Sequence, residues 1–76
     1  PVGCTATIVY QMYEEQGVMI DRMIASLLCS AIISDTLMFR SPTCTDVDRR
    51  AAESLAKIAD IDIESLAREM FNAGSI

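Results

Sequence analysis

The stretch Arg22-Met23-Ile24-Ala25-Ser26-Leu27-Leu28-Cys29-Ser30-Ala31-Ile32-Ile33-Ser34-Asp35 decides how this chain folds. Asp21 before it is suited to accept from the free amides of a helix start. A helix from Arg22 to about Asp35 follows. Met23, Ile24, Leu27, Leu28, Ala31 and Ile32 form one apolar stripe at helical spacing. Ala25, Cys29 and Ile33 fill much of the opposite side. A helix apolar nearly all round is expected to be buried. The chain has 76 residues, 51% of them hydrophobic. A chain this short buries only about 60% of its unfolded surface. The pattern therefore predicts a further layer beyond this chain, most simply a sheet, or else a self-associating subunit. Pro1 in place of an initiator Met is what an excised segment would show.

Outward from that helix the reading is all-α, with about four helices. The first spans about Cys4 to Gln16, with Thr5, Ile8, Val9, Met12 and Tyr13 as its apolar positions. Gly17 stops it, because glycine enters the left-handed region without steric cost. β-Branched Thr5, Thr7, Ile8 and Val9 would also suit a strand start. Leu37 to Thr45 reads as a loop: Pro42 lacks a donor and biases Ser41 away from helix. Thr45 caps the third helix, and Asp48 three residues later makes an acidic capping box. Asp46 and Asp48 suit the positive helix start. Val47, Ala51, Leu55, Ile58 and Ala59 are its expected buried face; Arg49, Arg50, Glu53 and Lys57 face water. Asp62 caps a fourth helix, Ile63 to about Ala73, with Ile63, Leu66, Ala67, Met70 and Phe71 as its apolar face. Gly74 ends it. There is no internal repeat or low-complexity tract.

The formal net charge is −5, and the six basic residues are scattered. That balance repels phosphate backbones and argues against nucleic-acid binding. No run approaches the roughly 18 apolar residues of a membrane span. Pro1 to Thr7 has no basic start of a signal peptide. Three cysteines, Cys4, Cys29 and Cys44, and no histidine match no zinc pattern. Reduced thiols in a cytoplasmic protein are expected, with Cys29 acting as a small hydrophobe.

Few residues are equipped for chemistry. Without histidine there is no triad, and Cys44 has no neighbouring base. Asp35 stands at the end of the apolar run. It either turns to solvent or bonds the local backbone, or it binds a cation. At a helix C-terminus a carboxylate meets the negative end of the dipole. A divalent cation such as Mn²⁺ or Mg²⁺ would reverse that penalty. Ser41-Pro42-Thr43-Cys44-Thr45 precedes a helix start, which suits either capping or phosphate binding. Gly3-Cys4-Thr5-Ala6-Thr7 is similar, but lacks the lysine of a phosphate-binding loop.

Pro1-Val2-Gly3-Cys4-Thr5-Ala6-Thr7, Ser30-Ala31-Ile32-Ile33-Ser34-Asp35-Thr36-Leu37 and Phe39-Arg40-Ser41-Pro42-Thr43-Cys44-Thr45 together resemble the manganese-dependent (family II) inorganic pyrophosphatases of the DHH phosphoesterase superfamily. Leu55-Ala56-Lys57-Ile58-Ala59-Asp60-Ile61-Asp62 resembles the helix and turn that follow there, with Asp60 where glycine is commoner. The resemblance covers essentially the whole chain. It implies that residues 1–76 are the C-terminal helical part of a larger α/β DHH domain built on a parallel sheet. The segment would begin just after the Asp-His-His strand and end near the linker to a second domain.

The resemblance further implies hydrolysis of pyrophosphate to two phosphates by a metal-activated nucleophile. Asp35 matches the last of the family's metal-ligand aspartates. The cofactor would be Mn²⁺, with Mg²⁺ or Co²⁺ as substitutes, held in the intact parent and not tightly by this chain. The partners would be pyrophosphate, the rest of the DHH domain and the C-terminal domain. The family's His-x-x-x-Asp-x-Asp and Asp-His-His motifs are not in this sequence, so the chain alone is expected to be inactive, with no catalytic or other cofactor-binding residue of its own. Two alternatives stand beside this reading. One is a non-catalytic helical module that forms a homo-oligomer through its second helix. The other is a DHH phosphoesterase acting on polyphosphate or short oligonucleotides.

Overall fold

The computed structural model describes residues 5–36 and 45–72. They form four α-helices: α1 (Thr5–Gln16), α2 (Arg22–Thr36), α3 (Asp46–Ala59) and α4 (Ile63–Asn72). No strand occurs among the described residues. The expected loop over Leu37 to Cys44, the expected helix start at Cys4 and the stop at Gly74 lie outside the described residues.

The helix boundaries follow from local chemistry. Asp21 Oδ1 accepts from the Ile24 amide at 2.8 Å at the start of α2. Asp62 Oδ2 accepts from the Ser65 amide at 2.9 Å at the start of α4. Such caps satisfy amides that have no partner in the helix, and each is worth about 1 kcal/mol. At the start of α3 the Thr45 amide and hydroxyl both donate to Asp48 Oδ2 at 2.9 Å. The Asp48 amide donates back to Thr45 Oγ1 at 3.3 Å. This is the expected capping box.

The helix stops are paired. Gly17 has φ 66°, its amide donates to Glu14 O, and the Val18 amide donates to Tyr13 O. A Cβ at Gly17 would meet nothing within 4 Å, so glycine is favoured there by backbone angle alone. The end of α3 repeats the motif with Asp60 at φ 58°, ψ 49°. The Asp60 amide donates to Lys57 O and the Ile61 amide to Ala56 O. A residue with a Cβ is strained in this region, and aspartate is among the few that tolerate it.

The core lies between α2 and α3. Ala25, Cys29, Ile32 and Ile33 of α2 meet Ala51, Ala52, Leu55, Ala56 and Ala59 of α3. Ala6 and Tyr10 of α1 and Ala67 of α4 close its edges. The alanines let the helix backbones approach, while Ile32, Ile33 and Leu55 are fully buried. Burial of each such large side chain stabilises by about 1.5–3 kcal/mol. Cys29 donates weakly to Ala52 O at 3.6 Å, and burial pushes its thiol from 9.0 up to about 11.

Four expectations about faces require correction; in α4, Phe71 of the expected apolar face is exposed. In α1 the buried residues are Ala6, Thr7 and Tyr10, whereas Ile8 and Met12 of the expected stripe are exposed. In α2 the core side is Ala25, Cys29, Ile32, Ile33 and Thr36, while Met23 and Leu27 are 73% and 62% exposed. Burial of α2 all round is therefore not what this chain achieves. In α3, Val47 and Ile58 lie at the surface and Ala52 and Ala56 take the buried positions. Alanines and Cys29 hold the closest approaches of the helices, and Tyr10, Ile32, Ile33 and Leu55 fill the space beside them, which leaves the other apolar face of each helix outward. Ala51, Leu55 and Ala59 are buried as expected, and Arg49, Arg50, Glu53 and Lys57 face water.

Asp60→Gly is expected to raise the stability of the chain by about 0.5–1 kcal/mol in urea denaturation, and Asp60→Val to lower it by about 1–2. The exposed Arg22–Asp60 pair at 3.7 Å contributes too little to reverse that order. Ile33→Ala should cost about 2–4 kcal/mol, against less than about 0.5 for Leu27→Ala. In a background lacking Cys4 and Cys44, Cys29 should resist thiol reagents until the chain unfolds. Its folded pKa lies above its ordinary value, so the neutral thiol favours the fold. That contribution is complete below pH 9 and should be lost as pH rises through 11.

Candidate functional site

Asp35 is the penultimate residue of α2, exposed to solvent between half-buried Ser34 and buried Thr36. Two hydroxyls of α2 turn back along the helix to carbonyls one turn earlier. Ser30 donates to Ser26 O at 2.8 Å. Thr36 Oγ1 donates to Ile32 O at 2.6 Å, and the Thr36 side chain is fully buried. The carboxylate thus rides on a helix end whose inward side is fixed in the core. The last carbonyls of a helix carry partial negative charge. A cation at Asp35 would be favoured by both the carboxylate and those carbonyls.

The described residues contain no group of three histidine, cysteine, aspartate or glutamate side chains able to hold a metal ion. Asp35 is therefore a single hard-oxygen donor. That fits one ligand of a Mn²⁺ or Mg²⁺ site whose other ligands come from elsewhere, and it does not make a site by itself.

The hydroxyl-rich stretches divide differently. Ser41, Thr43 and Cys44 lie outside the described residues, as do Gly3 and Cys4. Thr45 is committed to the capping box, and the Asp48 carboxylate occupies the helix start. With Asp46 beside it, the start of α3 carries negative charge where an anion would have to sit. Of the two readings of this stretch, capping is the one its described residues carry. Thr7 is turned into the core, with no hydrogen-bond partner for its hydroxyl among the described residues.

Thr36 is the residue that sequence reasoning passed over. Its signal is a β-branched hydroxyl four residues after Ile32, the spacing at which such a side chain reaches back to a helix carbonyl. No described helix is long and apolar enough to cross a membrane.

No family model matches the chain. Individual proteins do. A Staphylococcus saprophyticus protein is 59% identical over 75 residues, which is 99% of this chain and 24% of that protein. Proteins of Bacillus cytotoxicus and Listeria monocytogenes are 59% and 55% identical over the same length. All three are named as manganese-dependent inorganic pyrophosphatases. Among solved structures, a Methanococcus jannaschii protein assigned to the family II inorganic pyrophosphatases matches with a TM-score of 0.84 and 42% identity. The match covers 92% of this chain and 26% of that one. By sequence and by fold, the chain is similar to one segment of proteins named as manganese-dependent or family II inorganic pyrophosphatases, of whose length it spans about a quarter.

Proposed function

We propose that this chain works as the helical segment of the DHH domain in a manganese-dependent inorganic pyrophosphatase, hydrolysing pyrophosphate to two phosphates, and that Asp35 supplies one carboxylate ligand to a metal ion there. The observation that carries the reading is the position of Asp35: an exposed acid at the end of a helix whose inner face is packed in the core, inside a stretch 59% identical to one such enzyme. Mn²⁺ is the proposed ion, with Mg²⁺ or Co²⁺ as substitutes. When bound, such ions lower the pKa of an attacking water and offset phosphate charge.

This chain's own part is positional. The α2–α3 core holds the helix, and the helix end aims the carboxylate away from the bundle. The exposed Met23 and Leu27 face is proposed to lie against the remainder of the DHH domain. Pyrophosphate, that remainder and a second domain are the proposed partners, in a cytoplasmic setting that keeps Cys29 reduced. One carboxylate is too few for tight metal binding, so the chain by itself is proposed to be inactive.

The same exposed apolar face also favours a second reading, self-association without catalysis. A discrete, metal-independent oligomer of the isolated chain in sedimentation would support it, and a cooperatively folding monomer would eliminate it.

In the intact enzyme, Asp35→Ala is expected to lower turnover or Mn²⁺ affinity by orders of magnitude, read by phosphate release and metal titration. Near wild-type values would refute the ligand assignment. The isolated chain should release no phosphate from pyrophosphate at any Mn²⁺ concentration, and measurable turnover would overturn the reading of it as one part of a site.

A further inference from the structure

We infer that Thr36 is a positioning residue for Asp35, holding the last turn of α2 so that the carboxylate keeps one direction; this rests on the proposed role of Asp35 as a metal ligand. Helix ends fray because their last four carbonyls have no partner within the helix. Asp35 lies in that last turn, and its own charge opposes the local dipole. Left to itself, such a turn is poor support for a ligand. Thr36 anchors the turn in two ways, neither of which pairs one of those last carbonyls. Its side chain is fully buried although its neighbour Asp35 is exposed. Its hydroxyl donates to Ile32 O at 2.6 Å, on a residue that is itself fully buried. The inward half of the turn is thus tied to the core one residue from the carboxylate. Groups hydrogen-bonded to a metal ligand commonly set its affinity by 10–100-fold; Thr36 acts on the backbone that carries the ligand, so the lower end of that range is expected.

The test is Mn²⁺ titration of the intact enzyme carrying this segment, followed by electron paramagnetic resonance, with thermal melts alongside. Thr36→Val keeps the side-chain shape and removes the hydroxyl; it is expected to weaken Mn²⁺ binding by about tenfold. Thr36→Ser and Thr36→Ala both lose the methyl and differ only in the hydroxyl. Serine should bind within about twofold of wild type and alanine about tenfold more weakly. That pair decides the matter if the valine variant does not fold. A Thr36→Val protein that melts lower yet binds Mn²⁺ as wild type does would overturn the inference, since the threonine would then serve stability alone. Asp35→Ala is measured in parallel. Unchanged affinity in that variant refutes the ligand assignment and the inference with it. Loss at Asp35 with no loss at Thr36 refutes the inference only.

Discussion

The close seam between α2 and α3 is the constraint from which the rest of the structure follows. Small residues at Ala25, Cys29, Ala52, Ala56 and Ala59 let the two helices meet, and Ile32, Ile33 and Leu55 fill the space between them. Once that seam forms, α1 and α4 have defined places at its edges. The orientation of α2 is set as well. With Cys29 and Ile33 inward, Met23 and Leu27 must point the other way. The apolar surface left over is therefore a geometric consequence of the seam, not a separate property of the chain.

What could be read from the residues depended on how local the physics was. The Thr45–Asp48 box, the caps at Asp21 and Asp62, and the Gly17 stop are decided by a few neighbouring atoms, and they stand where the spacing put them. The unusual aspartate at position 60 is likewise explained by its own backbone angles. Burial was harder. α1 and α2 each have two apolar faces, and periodicity cannot say which one meets a neighbour. The answer turned on which face the neighbouring helices met: Ala6 and Tyr10 went inward while Ile8 and Met12 did not.

The candidate site was less legible still. Nothing in the spacing around Asp35 separates a ligand from an ordinary acid at a helix end; the proposal of a ligand there rests on the family resemblance. The described residues hold no further cluster to complete a metal site. Thr36 escaped notice because one hydroxyl in an apolar run has no pattern. Its burial and its bond to Ile32 become visible only in three dimensions.

The weak docking of α4 has a consequence for how the chain opens. Ala67 is its sole buried residue among those described, and Phe71 near its end is about half exposed. Cooperative units with little enclosed surface exchange their amide hydrogens first. Deuterium should therefore enter α4 well before the facing turns of α2 and α3, so the polypeptide would unzip from its carboxyl-terminal end while the region bearing the acidic group stayed shut.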